Sequence, residues 1–408
     1  MSAAVPGRTP WDCLASTREQ AAGQPIVAWE TPGGEARVGI GAIGAVTASG
    51  PSRFEEVRTR IQALLDRCSF GEPFAFGGFA FASGRDSLFY LPELTFCRTS
   101  ERDTVETRWT VTDAERAARE AGPRSAMPGL ACDEAPAPEG ATGGNRETWL
   151  DAVRLTLDRI REGAFSKAVL ARSVTVSLPR GRSSLDIFMS LRESYPNCFR
   201  FLIDDGRGNA FLGASPERLV SHRGTIATEA VAGTMRCGPG DDEKEIARRL
   251  LESRKDRAEH DAVLRHLREA LEPFCSKVEV GETEVMRLPH LLHLRTRIRA
   301  WDKPPAHVLD LASRLHPTPA VAGWPRAQAL DWIARVEAED RGWYAGPVGW
   351  LDVEGDGDFA VGIRSVAIRG DKARVFAGAG IVEGSDPEQE WNETELKMTG
   401  ILDAIAHD

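Results

Sequence analysis

The sequence predicts a fold of the α+β class, because its strands come in hairpin-like pairs and not in strict alternation with helices. Two such pairs are clear, each made of two apolar stretches with a short break between them: 198–204 with 210–222, and 359–369 with 372–377. Helical patterns lie between and after these pairs, and no internal repeat is found. A doubly wound parallel sheet would need a helix after every strand, so it is the weaker prediction.

Composition indicates a globular protein that does not bind polyanions. The 408 residues are 42% hydrophobic and 27% charged, and 51 basic residues face 61 acidic ones, for a formal net charge of -10. That charge argues against a nucleic acid or an anionic membrane as a partner. The seven cysteines are scattered and form no C-x-x-C pair. We therefore expect reduced thiols and a cytoplasmic, monomeric protein with no signal peptide and no apolar run of the roughly 20 residues that cross a bilayer.

Three regions are predicted along the chain. Residues 1–121 are rich in short strands and glycine turns, with one helix at 54–67 and a buried, bent aromatic strand at 73–81. Residues 122–145 are rich in proline, alanine and glycine, which predicts a flexible linker or loop. Residues 146–408 form the third region, which carries the chemistry-bearing motifs.

Periodicity predicts the elements of this third region in order. The predicted helices span 147–162, 184–194, 241–271, 326–337 and 386–406. The predicted strands span 167–177, 198–204, 210–222, 346–352, 359–369 and 372–377.

The last predicted helix presents charged residues on one face. Ser385-Asp-Pro-Glu388 has the S-x-x-E pattern of a capping box, with proline in the first turn. Glu390, Glu393 and Lys397 follow at i, i+3 and i+7, so their side chains project from one side. The plainer interpretation is a solvated stripe with a surface Glu393–Lys397 pair worth a few tenths of a kcal/mol.

The segment before this helix favours a ligand site over a solvated stripe. The run 375–382 ends a strand in glycines, whose exposed backbone N–H groups can approach an anion. Two carboxylates, waters and a substrate oxygen suit magnesium, which rarely has an all-protein cage. A second carboxylate pair, Asp256 and Glu259, shares a face of the helix predicted at 241–271, although most charged residues there must be ordinary surface.

Three further residues are candidates for the site, and each also has a purely structural interpretation. Lys167 begins a largely apolar strand, where its ammonium needs a partner or can act as a general base. The structural alternative is that the ammonium reaches solvent at the strand end. Glu217 follows a proline that breaks a strand, and it is either a positioned acid or the partner of Arg218. His316 lies in a rigid L-H-P-T-P turn, where one histidine is more often structural.

Taken together, these segments resemble the chorismate-utilising enzymes, the family of isochorismate, salicylate, anthranilate and aminodeoxychorismate synthases. The resemblance runs in order from about residue 146 to the C-terminus, whereas the N-terminal region matches only through G-G-F-A-F. Its parts are F-S-K-A-V-L-A-R, F-L-G-A-S-P-E-R-L, T-E-A-V-A-G-T, K-D-R-A-E-H, L-H-P-T-P-A-V-A-G, R-G-W-Y-A-G-P-V-G, I-R-S and A-G-A-G-I-V-E-G-S-D-P-E-Q-E-W-N-E-T-E-L-K.

The resemblance implies a large sandwich of antiparallel sheets flanked by helices, with the site between them. It implies that Glu259 and Glu393 bind Mg²⁺, with Asp256 and Glu390 close by as water-mediated partners. It also implies a cradle for chorismate in which Arg364 and Lys397 hold the enolpyruvyl carboxylate, a role that suits a guanidinium fork. The other residues of the implied cradle are Gly233, Thr234, His316, Tyr344, Gly378 and Gly380.

Within the family, the residue at position 167 implies the nucleophile. Members that add ammonia usually carry glutamine there, whereas Lys167 fits a base that deprotonates water, with protonated Glu217 donating to the leaving C4 hydroxyl. Ala232 stands where one branch has a nucleophilic lysine, so a covalent route at that position is excluded. The resemblance thus implies isomerisation of chorismate to isochorismate, for menaquinone, a siderophore or salicylate. Two alternatives stay open: salicylate synthesis with loss of pyruvate, and a non-catalytic anion-binding protein on the same scaffold.

Overall fold

The predicted α+β class is confirmed by two antiparallel sheets flanked by helices. The computed structural model describes residues 2–4, 7–17, 21–68, 73–99, 105–108, 145–238, 240–337 and 339–406. Within these ranges, 20 strands form one sheet of eleven strands, called the large sheet, and one of nine, called the small sheet. Paired strands run antiparallel in both sheets.

The strands of both sheets come from widely separated parts of the chain. The large sheet has the order β1 (Ser2–Ala4), β8 (Val105–Arg108), β7 (Leu94–Arg98), β3 (Ala36–Ile40), β2 (Ile26–Glu30), β10 (Phe199–Asp204), β11 (Asn209–Ser215), β19 (Ser365–Arg369), β20 (Lys372–Val382), β9 (Lys167–Ser177) and β16 (Gly323–Trp324). The small sheet has the order β14 (Cys275–Leu288), β15 (Leu291–Asp302), β13 (Ile226–Arg236), β12 (Arg218–His222), β18 (Gly357–Val361), β17 (Pro347–Asp352), β5 (Phe74–Gly78), β6 (Ser87–Leu91) and β4 (Gly44–Ala48).

Helices cover the outer faces of the two sheets. Those in the described ranges are α1 (Pro10–Thr17), α2 (Arg53–Leu65), α3 (Arg146–Arg161), α4 (Ser184–Ser194), α5 (Glu243–Glu252), α6 (Arg254–Leu271), α7 (Val308–Leu315), α8 (Arg326–Val336) and α9 (Pro387–Ala406). A single 3₁₀ turn, Glu272–Phe274, extends α6. None of these helices is long and apolar enough to cross a membrane.

The hydrophobic core has two main layers, which follow from the alternation of side chains along each strand. Phe201 and Phe211 of the large sheet point inward and pack in one cluster with aromatic residues of the small sheet, such as Trp350. Their chain neighbours Leu202 and Leu212 point outward and pack in a second cluster with the helices. The large sheet is therefore buried on both faces, and the small sheet closes the inner layer.

The chain crosses between the two sheets at two points that the sequence analysis placed inside single strands. The strand predicted at 210–222 ends at Ser215 in the large sheet, and Arg218 resumes in the small sheet. The strand predicted at 359–369 likewise leaves the small sheet at Val361 and enters the large sheet at Ser365. Both sets of strand bounds were wrong, because apolar runs on consecutive strands hide a change of sheet, although Pro216 had been identified as a break in the first strand. The residues at these crossings, Glu217 and Arg364, lie between the sheets.

Two other predicted elements differ from the structure. The helix predicted at 241–271 is broken at Ser253, whose side chain accepts a hydrogen bond from the N–H of Asp256 and so caps α6. The strand predicted at 372–377 continues to Val382, so Gly378 and Gly380 lie within β20 and not in a turn. The long β14–β15 hairpin was not predicted.

The predicted division into regions is not visible as a break in the described sheets. Strands β2 and β3 pair within the large sheet beside β10, and β5 pairs with β17 in the small sheet. The predicted linker at 122–145 lies outside the described residues, except for Asn145, which caps α3.

Candidate active site

One pocket between the sheets is lined by most of the residues that the sequence singled out. Its walls come from the sheet crossings, the bulge in β13, the glycines of β20, and one face each of α6 and α9. The predicted residues that line it are Glu217, Gly233, Thr234, Asp256, Glu259, Tyr344, Arg364, Gly378, Gly380, Glu390, Glu393 and Lys397. Lys167 reaches this pocket through its bond to Glu259, whereas His316 lies outside the lining.

Glu217 is a buried acid at the first sheet crossing. Its side chain is 3% exposed, and the Thr318 hydroxyl lies 3.4 Å from Oε1 as a hydrogen-bond donor. Burial, reinforced by the nearby Glu229 carboxylate, raises the pKa of Glu217 to about 8. The group is therefore mostly protonated at neutral pH and can donate a proton to a substrate. The alternative pairing with Arg218 is not formed, because Arg218 bonds Asp358 at 3.1 Å.

Lys167 begins β9 and is held in an ion pair beneath the pocket. Its ammonium donates to Glu259 Oε1 at 2.6 Å, and only 4% of the lysine side chain is exposed. Burial opposes ionisation of Glu259, yet the Lys167 ammonium holds the pKa of that carboxyl below its usual value. Gly380 on the neighbouring strand makes room for the pair, since a Cβ there would lie 2.9 Å from Lys167 Cε.

The charged face of α9 lines the pocket, and of its three residues Glu390 is the buried one. Lys397 Nζ lies 2.5 Å from Glu393 Oε1 and donates to the Gly378 carbonyl at 2.8 Å. Glu390 is 5% exposed, and burial together with the Glu393 charge raises the pKa of Glu390 to about 7. The Glu393–Lys397 pair of the plainer interpretation is formed, but it lies in the wall of the pocket and not on a solvated stripe.

Asp256 fixes the bulge of β13 that carries Gly233 and Thr234. Its Oδ1 accepts from the Thr234 N–H at 3.1 Å, and its other oxygen accepts from the Ser253 hydroxyl. Gly233 has φ of 76°, and a Cβ there would lie 3.0 Å from the Asp256 Cβ. A positive φ and this close approach together favour glycine at position 233.

Arg364 and Tyr344 form the wall at the second sheet crossing. Arg364 adopts φ of 50°, a left-handed conformation that a non-glycine residue seldom takes and that often marks a functional site. Burial lowers the pKa of Arg364, but an arginine remains charged at neutral pH. Tyr344 stacks on Phe376 with ring centroids 5.2 Å apart, and burial raises its pKa to about 12.

His293, and not the predicted His316, lines the pocket. His316 is a turn residue whose Nε2 lies 3.4 Å from the Phe81 carbonyl, outside the pocket, and its neighbour Thr318 contacts Glu217 instead. His293 of β15 lines the pocket, with Nδ1 3.0 Å from the Thr234 hydroxyl. Burial, together with the charges of Arg364 and Lys397, lowers the pKa of His293 to about 3, so its imidazole is neutral.

Three further residues line the pocket but were not predicted to do so: His293, Lys255 and Arg341. His293 lies in the alternating run L-L-H-L-R, where an inward histidine looks like any core residue. Lys255 stands next to Asp256 in a helix crowded with charge, and Arg341 is paired with Glu337 at 2.5 Å. Lys255 and Arg341 nevertheless lie inside two of the motifs that carry the family resemblance, K-D-R-A-E-H and R-G-W-Y-A-G-P-V-G, whereas His293 lies in none of them.

The carboxylates of α6 and α9 are a donor set that suits a hard divalent cation. Asp256, Glu259, Glu390 and Glu393 all line the same pocket, and magnesium prefers oxygen ligands completed by water and substrate. No group of three or more His, Cys, Asp or Glu side chains in the described ranges is arranged to hold a metal ion. Glu259 and Glu393 each contact a lysine through Oε1, so a metal ion bound by these carboxylates would lie beside two ammonium groups.

Comparisons with known proteins agree with this geometry. The family model described as "Chorismate binding enzyme" matches residues 1–406. The salicylate biosynthesis isochorismate synthase of Pseudomonas aeruginosa is 42% identical over 271 residues, which cover 65% of this chain and 56% of that protein. The isochorismate synthase MenF of Bacillus subtilis is 36% identical over 264 residues, which cover 64% of this chain and 56% of that protein. The chain thus spans about 56% of the length of these two curated relatives.

Solved structures extend the likeness to nearly the whole chain. The menaquinone-specific isochorismate synthase MenF from Escherichia coli superposes with a TM-score of 0.81 at 28% identity, covering 99% of this chain and 94% of that one. Anthranilate synthase component I from Streptococcus pneumoniae, at 20% identity and a TM-score of 0.68, shares the fold. With its pocket between two antiparallel sheets and a family match that runs from end to end, this chain belongs to the family of chorismate binding enzymes.

Proposed function

We propose that the protein is an isochorismate synthase, which moves a hydroxyl group of chorismate from C4 to C2 in the cytoplasm, as a monomer. The observation that carries the proposal is that Glu217, buried and protonated, lines a pocket that Lys167 also reaches. Position 167 is a lysine and not the glutamine of the ammonia-adding members. The names of the P. aeruginosa and B. subtilis relatives support the same activity.

The reaction requires one base and one acid whose side chains reach the substrate in the pocket. Lys167, uncharged when it acts, removes a proton from a water molecule whose oxygen bonds to C2. The two ring double bonds shift, and the C4–oxygen bond breaks as Glu217 gives its proton to the departing hydroxyl, which leaves as water. One water enters and one leaves, so product and substrate are isomers. Lys167 must give up its bond to Glu259 before it can act, because an ammonium in an ion pair is no base.

The positively charged side chains that line the pocket would bind the substrate. Arg364 and Lys397 would hold the enolpyruvyl carboxylate, and Gly378 leaves space for it in front of the Tyr344 hydroxyl, which a Cβ would approach to 3.1 Å. Magnesium would be held by Glu259 and Glu393, with Asp256 and Glu390 beside them, and it would supply positive charge for the ring carboxylate.

Product analysis tests the proposal. Purified protein is incubated with chorismate and Mg²⁺, and the products are separated by liquid chromatography. We expect isochorismate, and no product from Lys167→Ala. The matched control is Lys372→Ala, which removes an exposed lysine at the far end of the same β9–β20 strand pair.

Three outcomes would contradict parts of the proposal. Salicylate with pyruvate would support the alternative activity, in which elimination follows. Full activity in Lys167→Ala would exclude this lysine as the base. Full activity in a chelator would exclude magnesium.

A further inference from the structure

The pocket opens to solvent between α6 and α9. Most of its lining is buried, including Glu217, and Lys255 is the exposed lining residue, with 56% of its side chain accessible to solvent. Thr234 and Glu393 are partly exposed on the same side. A substrate that enters on this side passes Thr234 and Glu393 before it reaches the buried acid.

A second cavity adjoins this opening. It forms a groove of about 540 Å³ along the side of α9 and shares Thr234 and Glu393 with the active-site pocket. Its volume lies within the range of ~300–1,000 Å³ in which proteins bind small molecules. Its other walls include Arg236, Leu291, Gln389, Asn392 and Leu396. The groove thus combines an apolar floor with a guanidinium and two amides.

The charges in the groove favour an anion. Both carboxylates that line it are already compensated, Glu393 by Lys397 and Glu395 by Arg172. Arg236 is exposed at the end of β13 and has no ion-pair partner in the ranges that the structure describes. The groove therefore has one uncompensated positive charge on a chain whose formal net charge is -10. Such a local cation raises the concentration of a dianion that the rest of the surface repels.

We propose that this groove is an access subsite, in which Arg236 captures a carboxylate of the substrate before the ring passes Thr234 and Glu393 into the active site. The inference rests on the proposed function, because its ligand is the dianion chorismate, with one apolar ring and two carboxylates. The apolar floor of Leu291 and Leu396 receives the ring, and Gln389 and Asn392 offer hydrogen bonds.

Two variants test the subsite. Arg236→Gln removes the charge, and its matched control is Arg299→Gln, an exposed arginine on β15 that lines neither cavity. We expect Arg236→Gln to lower kcat/KM by about three- to tenfold at low salt with kcat unchanged, since steering by a local charge acts on capture and not on chemistry. The difference should shrink below about twofold at 0.5 M salt, where the Debye length is only a few ångströms. Arg299→Gln should match the wild type at both salt concentrations.

The second variant obstructs the groove without changing charge. Asn392→Trp fills it from α9, and Ala406→Trp places the same side chain at an exposed site on that helix outside the groove. We expect a raised KM for Asn392→Trp only, with thermal stability unchanged in both. Wild-type kinetics in both Arg236→Gln and Asn392→Trp would overturn the access subsite and leave the proposed function standing. A wild-type protein that leaves chorismate unchanged would overturn both.

Discussion

Replacing Glu217 by glutamine is expected to abolish activity and, at neutral pH, to stabilise the fold. The pKa of Glu217 is raised from 4.5 to about 8 by burial, so the folded protein holds a proton that the unfolded chain releases. Stability from this group is complete below pH 4.5 and is lost as the pH rises from there to about 8. Each pH unit in this window lowers the free energy of unfolding by about 1.4 kcal/mol, so this group destabilises the wild type by about 3 kcal/mol at pH 7.

Glutamine removes this cost because it has no proton to lose. Its carbonyl oxygen can still accept from the Thr318 hydroxyl, so the hydrogen bond at 3.4 Å is retained. The free energy of unfolding of the variant should therefore exceed that of the wild type by about 3 kcal/mol at pH 7 and by less than about 1 kcal/mol at pH 5.

Urea denaturation of both proteins at pH 5, 6, 7 and 8 measures this difference. Glu282→Gln, which changes an exposed glutamate, is the matched control and should follow the wild type at every pH. A Glu217→Gln variant that is less stable than the wild type at pH 8, or a difference that does not change with pH, would refute a proton held by burial.

Three further predictions concern the same pocket. Gly380→Ala should reduce kcat by at least about 100-fold, because the new Cβ would lie 2.9 Å from Lys167 Cε. The control Gly84→Ala should leave kcat unchanged, because nothing lies within 4 Å of its Cβ. Equal kcat values for the two variants would contradict this packing argument. Glu259→Gln should raise the Mg²⁺ concentration for half-maximal rate at least about tenfold, as measured by metal titration of the initial rate, and an unchanged titration would exclude Glu259 as a ligand. The rate should fall as the pH rises through about 8, where Glu217 loses its proton, and a rate that is constant up to pH 10 would exclude Glu217 as the acid.

Local patterns predicted the parts of the site that a single element carries. The spacing of Glu390, Glu393 and Lys397 predicted one face of α9, and the structure places all three on the pocket. For Lys167, at the start of an apolar strand, the sequence left a partner or a solvent-exposed ammonium as alternatives, and the structure gives it a partner, Glu259. In both cases the periodicity of one helix or strand determines where the side chains point.

Features that depend on which sheet a strand joins were not predicted. Glu217 was placed after a break in a strand and Arg364 inside a continuous strand, and in neither case was a change of sheet predicted. An apolar run shows that a strand is buried but not which strands are its neighbours. His293 was missed for the same reason, since its role depends on the pairing of β15 with β13.

The origin of the new hydroxyl group tests the central claim most directly. The protein converts unlabelled chorismate in H₂¹⁸O with Mg²⁺, and the product of the first few turnovers is analysed by mass spectrometry. If water attacks C2 with Lys167 as the base, the isochorismate carries one ¹⁸O and is two mass units heavier than the unlabelled compound. Isochorismate without the label would show that the hydroxyl migrates within the substrate, and it would contradict water as the nucleophile.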